Sequence, residues 1–219
     1  MGKDKQPHQG RLAAAIIVVV LIIDQIIKIL VKTNMSIGEQ IRITDWFYIL
    51  FVENNGMAFG MEIISKLFLS IFRIVAIGFF VWYLCKIVNK GFPKGYIVTI
   101  AFVIAGAAGN LIDCILYGQI FSESIMGPNG VAHFTSFGEG YAPILYGKVV
   151  DMFYFPLWTW PDWLPLFGGN IFFSPIFNFA DSCITCGIIV LVLFYSRYVN
   201  MGLNFTDEQT DGDDKKTAV

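Results

Sequence analysis

Four aspartates, a lysine and an arginine stand in stretches of the sequence where charge is expensive. Asp24 and Lys28 interrupt the apolar run Leu12–Val31, Arg73 lies inside a second run, and Asp113 follows the stretch "AGAAGNLI". Asp151 is embedded in "GKVVDMFYF" and Asp181 in "IFNFADSC". A charge at the centre of a membrane helix costs about 2.5–3.5 kcal/mol on insertion scales, so each needs a reason. Two isolated carboxyls in oily settings can share one proton. The ionised partner then takes a proton from water while the protonated one hydrogen-bonds a scissile carbonyl, which is the chemistry of an aspartyl protease. Spacing alone leaves a second reading open, in which a carboxylate at a helix N-terminus is only a cap. Asp24 and Lys28, four apart on one helix face, can form an ion pair that braces the outer end of the first helix. Arg73 can snorkel to the interface. Ala105 with Gly109, and Gly106 with Asn110, are four apart and let a neighbouring helix approach closely; Asn110 and Asp113 add polar groups that packing does not require.

The elements that must position these groups are membrane elements. Of 219 residues, 56% are hydrophobic and 15% charged, with a mean hydropathy of +0.63, too apolar for an ordinary water-soluble domain. A net charge of −2 and scattered basic residues argue against a nucleic-acid partner. Four segments, about 12–31, 67–85, 96–117 and 182–198, are predicted to cross a hydrocarbon core ~30 Å thick. The N-terminal run is followed by Asp24, Gln25 and Lys28 rather than by a small-residue cleavage site, so it reads as a retained helix and not a secretory signal. Lys3, Lys5 and Arg11 before the first segment, and Lys86, Lys90 and Lys94 between the second and third, place those regions and both termini in the cytoplasm. The outer connections are then 32–66 and 118–181. The first, with "EQIRITDWFYILFVENNGMAFGM", has the β-branched and aromatic alternation and the Asn-Gly signal of a small β-structure resting on the membrane. In the second, Trp158, Trp160 and Trp163 suit the headgroup layer. Residues 1–204 read as a single four-helix membrane domain, and 205–219 as a disordered cytoplasmic tail.

Cys85, Cys114, Cys183 and Cys186 lie in or beside apolar runs and read as small hydrophobes. Cys183 and Cys186 spell C-x-x-C, with no second pair and no histidine nearby to make a zinc site, so no metal and no cofactor is expected. Two rivals to a carboxylate peptidase remain. A proton relay through Asp24, Arg73 and Asp113 would need polar residues at every membrane depth, whereas these fall in the outer half. A serine peptidase using Ser182 would need a lysine beside it, and the topology places none there.

Taken in order, the motifs resemble those of the lipoprotein signal peptidase (signal peptidase II) family. The matches are Asp24 with Lys28 in the first helix, N-x-G-x-A-F at Asn54–Phe59, G-N-x-x-D at Gly109–Asp113, V-V-D at Val149–Asp151 and F-N-x-A-D at Phe177–Asp181. The resemblance implies a mainly α membrane protein of four transmembrane helices with a small β-rich extracytoplasmic platform. It implies an aspartyl endopeptidase of the bacterial inner membrane, facing the periplasm, that cleaves prolipoproteins before the diacylglyceryl-modified cysteine. The partners implied are prolipoprotein signal peptides and membrane lipids, with the enzyme acting as a monomer. Asp151 and Asp181 fall at the family's catalytic positions. Asn54, Gly56, Asn110 and Asn178 are expected to position substrate or site groups, with Asp24, Lys28, Asp113 and Arg73 in support. Two departures stand out. Cys114 occupies the place of an arginine that follows the family's G-N-x-x-D, leaving Asp113 in need of another partner, with Arg73 or Lys148 as replacements. About thirty residues separate Gly118 from Gly147 where a very short connection is usual.

Overall fold

The first helix carries its polar residues inward and its apolar residues outward, the reverse of a water-soluble helix. In α1 (Lys5–Asn34), Asp24, Lys28 and Lys32 recur at four-residue spacing and are all buried, while Val18, Val19, Ile22, Ile26 and Leu30 on the other faces are exposed. A helix does this when its surroundings are hydrocarbon and its polar partners lie inside the protein. The computed structural model describes residues 5–56, 62–166, 168–199 and 201. The segments Met57–Phe59 and 205–219, on which the sequence reading also touched, lie outside the described residues.

α2 (Glu62–Asn89) is likewise apolar and outward-facing, with Phe68, Phe72 and Val75 exposed. The central element is α3 (Lys94–Ile112), which packs against α1, α2 and the last apolar helix, α5 (Phe179–Phe194). It ends in a π-turn over Asp113–Tyr117 and a last short turn, α4 (Gly118–Ile120). Three of these helices, over His8–Asn34, Lys66–Asn89 and Lys94–Ile120, are long and apolar enough to cross a membrane. The fourth apolar helix, α5 (Phe179–Phe194), has 16 residues, and at 1.5 Å per residue reaches ~24 Å. It starts three residues earlier than the predicted 182–198 segment, because Asn178 caps it, and ends at Tyr195, whose backbone leaves the helical region. Helix resumes over 196–199.

On one end of the bundle lies the antiparallel sheet anticipated from the sequence, in the order β1 (Gln40–Arg42), β2 (Tyr48–Asn54), β3 (Val149–Tyr154), β6 (Ile176–Phe177). The β2–β3 register pairs Asn54 with Val149, Glu53 with Val150 and Val52 with Asp151. A separate ribbon joins β4 (Trp158–Thr159) to β5 (Ile171–Phe172), where Trp158 stacks on Phe172. Under the sheet, Val31, Met35, Phe51, Tyr117, Phe121, Val150 and Met152 form one core that ties α1, the π-turn after α3 and the platform together.

The long connection before β3 is an ordered excursion from α4. Phe121 bridges to Phe134, Tyr141 N donates to Phe121 O, and Gly147 N returns to Cys114 O at 3.0 Å. A buried ionic knot holds it to the platform: Lys32 pairs with Glu53, Ser124 Oγ donates to Glu53 Oε1 at 3.0 Å, and Lys148 lies 3.3 Å from Glu53 Oε2.

Candidate active site

Asp151 and Asp181 arrive from different elements and meet where the sheet joins the bundle. β3 carries Asp151 inward, leaving it 4% exposed. Asp181 belongs to the first turn of α5, where a reciprocal cap fixes it: Asp181 N donates to Asn178 Oδ1 at 2.9 Å, and Asn178 N to Asp181 Oδ2 at 3.4 Å. The same asparagine reaches across, with Nδ2 donating to Asp151 Oδ1 at 2.6 Å and to Asn110 Oδ1 at 3.1 Å. Asn54, at the end of β2, donates to the other Asp151 oxygen at 3.2 Å. Asn110, on α3, donates to Asp181 Oδ1 at 2.7 Å. Each carboxylate is thus held by amide donors on more than one element.

Behind the amides stands a charged support. Lys28 spends its three ammonium donors on Asp24 Oδ2 (3.0 Å), Asp113 Oδ2 (2.8 Å) and Asn110 Oδ1 (2.9 Å). With Asn110 Oδ1 occupied by two donors, its NH₂ can only face Asp181, so the lysine sets the amide's orientation. Asp24 also accepts from Ala180 N at 3.0 Å, holding the start of α5 by an anion at a helix N-terminus. That approach needs Gly109, since a Cβ there would sit 2.6 Å from Asp24 Oδ2. Asp113 is fully satisfied, receiving Gln25 Nε2 at 3.0 Å and Val150 N at 3.3 Å besides Lys28. It therefore does not depend on a cation at position 114. Arg73 does reach that position, donating from Nη1 to Cys114 Sγ at 3.0 Å, whereas Lys148 points to Glu53 and Glu123.

Burial, and then the nearby charge of Asp181, push the Asp151 carboxyl up to about 6, against the opposing hydrogen bonds from Asn178 and Asn54. A carboxyl so placed keeps its proton up to about pH 6, where an exposed aspartate has already lost its own. Beside Asp181 opens an apolar cavity of about 750 Å³, walled by Phe47, Phe153, Phe155, Phe177 and Phe179.

The structure gathers Asp151, Asp181, Asn54, Asn110, Asn178, Asp24, Lys28 and Asp113 into this one assembly. Gly56 closes a turn at its edge, with a φ of +66° and its N–H donating to Asn54 Oδ1 at 2.7 Å, and a Cβ there would strike Leu69. Sequence reasoning passed over Gln25, which links Asp24, Asp113 and Tyr117, and over Lys32 and Glu53. The four-residue spacing Asp24, Lys28, Lys32 was the signal that could have marked Lys32 as inward-facing. Ser182 Oγ back-bonds to Asn178 O at 3.1 Å, as helical serines do. Among the described residues no group of three or more His, Cys, Asp or Glu side chains is arranged to hold a metal ion.

The family model described as Signal peptidase (SPase) II matches residues 16–197. The chain belongs to the signal peptidase II family. This is an aspartic peptidase family that removes the signal peptides of prolipoproteins. A lipoprotein signal peptidase of Porphyromonas gingivalis is 49% identical over 90% of this chain and 88% of its own length. One of Amoebophilus asiaticus is 35% identical over 79% of this chain and 72% of its own. Among solved structures, a bacterial membrane enzyme determined by the in meso method is similar with a TM-score of 0.56 and 26% identity, covering 83% of this chain and 90% of that one. Membership in the signal peptidase II family accounts for the layout described above, a helical membrane bundle topped by a small antiparallel sheet.

Proposed function

We propose that Asp151 and Asp181 are the catalytic pair of this signal peptidase. The observation that carries the reading is Asn178, whose side chain bonds Asp151 through Nδ2 and caps Asp181 through Oδ1, so that a single side chain spaces the two carboxyls. With one proton between them, the ionised carboxyl takes a proton from water as its oxygen attacks the scissile carbonyl, and the protonated one hydrogen-bonds the carbonyl oxygen as charge develops. Collapse of the tetrahedral intermediate breaks the C–N bond, and a carboxyl returns a proton to the leaving amine. Asn54 and Asn110 keep both carboxyls oriented through the cycle, and Gly56 leaves room at the edge of the site. Burial of Asp151 supports its role as the group protonated at rest.

The substrate is the apolar signal helix of a prolipoprotein with a diacylglyceryl-modified cysteine after the cut. The aromatic cavity beside Asp181 supports this, because it offers an apolar chain a place next to that carboxyl. The enzyme acts as a monomer in the bacterial inner membrane, with both termini cytoplasmic and the sheet at the periplasmic face. Completion of the site by one chain, and the lysines of the α2–α3 connection at the opposite end, support that arrangement.

The deciding experiment is cleavage of a diacylglyceryl-modified prolipoprotein by the purified protein, with and without EDTA. Cleavage at the modified cysteine that survives chelation is expected. No cleavage, or cleavage lost with EDTA and restored by zinc, would overturn the mechanism. For orientation, cysteines introduced at the exposed Asp45 and Asp162 should react with an impermeant maleimide in intact spheroplasts. Protection of both until lysis would invert the topology.

A further inference from the structure

The α2 helix presents two cations inward at the platform end of the bundle, and neither belongs to the carboxylate assembly. Lys66 and Arg73 are seven residues apart, two turns along one face, with Ser70 between them. Lys66 is 4% exposed, and its ammonium has no hydrogen-bond partner among the described residues. Arg73 has five N–H donors, and the partner it meets is the Cys114 thiol, a weak acceptor. Cys114, Arg73, Asp113 and Glu53 are all electrostatic neighbours of Lys66, and none of them hydrogen-bonds it. The carboxylates that could neutralise them are already spent. Asp113 is taken by Lys28, Gln25 and Val150 N, and Glu53 by Lys32, Ser124 and Lys148. Ser70 donates its proton to Leu145 O at 2.8 Å. Among the described residues, neither cation therefore has a carboxylate bonded to it, and a buried ammonium without one is costly.

The surroundings identify the missing anion. Lys66 lies in the second turn of α2, at the end of the helix next to the platform. Below it, Phe68, Ile71, Phe72 and Val75 are exposed along the helix. A ligand with a phosphate at the level of Lys66 and acyl chains running down this surface fits both features. We propose that Lys66 and Arg73 form a binding site for the phosphate of a membrane phospholipid, separate from the peptidase site.

The test uses the full-length protein, delipidated in detergent and titrated with phosphatidylglycerol, with diacylglycerol of the same acyl chains, and with inorganic phosphate. Native mass spectrometry and thermal unfolding report binding. A one-to-one phosphatidylglycerol adduct that raises Tm is expected, with no comparable effect of diacylglycerol or inorganic phosphate. Lys66→Met and Arg73→Met should each weaken the adduct by about tenfold or more, and Lys66→Arg should keep it. Lys66→Met should also raise the Tm of the lipid-free protein, because it removes an unpaired buried charge. Equal binding of diacylglycerol, equal stabilisation by inorganic phosphate, or undiminished adducts in both methionine variants would each overturn the proposal.

Discussion

Lys28 Nζ lies 2.9 Å from Asn110 Oδ1, and this contact turns the opposite end of the amide onto Asp181. A lysine on α1 thereby controls, through α3, a hydrogen bond on a proposed catalytic carboxyl. Asn110→Ala removes that bond but leaves Lys28 with Asp24 and Asp113, so the fold should survive while chemistry suffers. A fall in kcat of about 10²-fold is expected, with a much smaller change in KM, consistent with loss of transition-state positioning. Single-turnover cleavage measures it, and an unchanged kcat would remove Asn110 from the machinery.

Asp151→Asn and Asp181→Asn should each abolish cleavage, since an amide cannot shuttle the shared proton. The two should differ in stability. Asp151 is buried and held up to about 6, so ionising it opposes folding. The folded carboxyl binds its proton more tightly than the unfolded one. The stability this contributes is complete below about 3.8 and lost as pH rises through about 6. Asp151→Asn is free of that loss. It should be more stable than wild type at pH 8, by on the order of 2 kcal/mol, and the gain should vanish near pH 4. Thermal unfolding in detergent at both pH values decides it; a variant less stable at pH 8 would mean that the Asp151 carboxyl is not raised in the folded protein.

The same carboxyl sets the alkaline limit of activity. If the pair works with one proton, kcat/KM should decline above about pH 6, as an apparent constant belonging to the pair. The hydrogen bond from Asn54 favours the ionised form of Asp151, so Asn54→Ala should move that limb to higher pH as it lowers the maximum. A limb that stays in place would show that another group controls it.

The local part of this site was legible in the sequence. Asn178 and Asp181, three apart at the head of an apolar run, spell their own reciprocal cap, and Asp24 with Lys28 spell a pair on one helix face. What the sequence did not show is where long side chains go across the fold. Lys28 reaches Asn110 and Asp113 over more than eighty residues of separation, which satisfies Asp113 and dissolves the supposed need for an arginine at Cys114. The end of α5 at Tyr195 was misplaced because apolar composition continues past the point where the backbone stops being helical. The excursion before Asp151 could not be read at all, since its path is fixed by bonds such as Gly147 N to Cys114 O.

That excursion owes its anchorage to Glu53, the buried anion shared by Lys32, Lys148 and Ser124. Lys32 also lies over the rings of Phe121 (5.4 Å) and Tyr141 (5.0 Å), so its position locks two parts of the excursion to α1. Burial works against the charge on Lys148, but Glu53 and Glu123 outweigh it and hold its proton more firmly than in water. Glu53→Gln leaves Lys32 buried without its counter-charge, and breaking a buried pair from one side costs about 3–5 kcal/mol. Replacing both partners, as Lys32→Met with Glu53→Leu, removes the stranded charge and should recover much of the loss. Thermal unfolding in detergent should therefore rank wild type first, the double variant second and Glu53→Gln last. Because Glu53 adjoins Asn54 on β2, cleavage should fall in the same order. A Glu53→Gln protein as stable as wild type would mean that the excursion is held by its apolar contacts, with the ionic knot incidental.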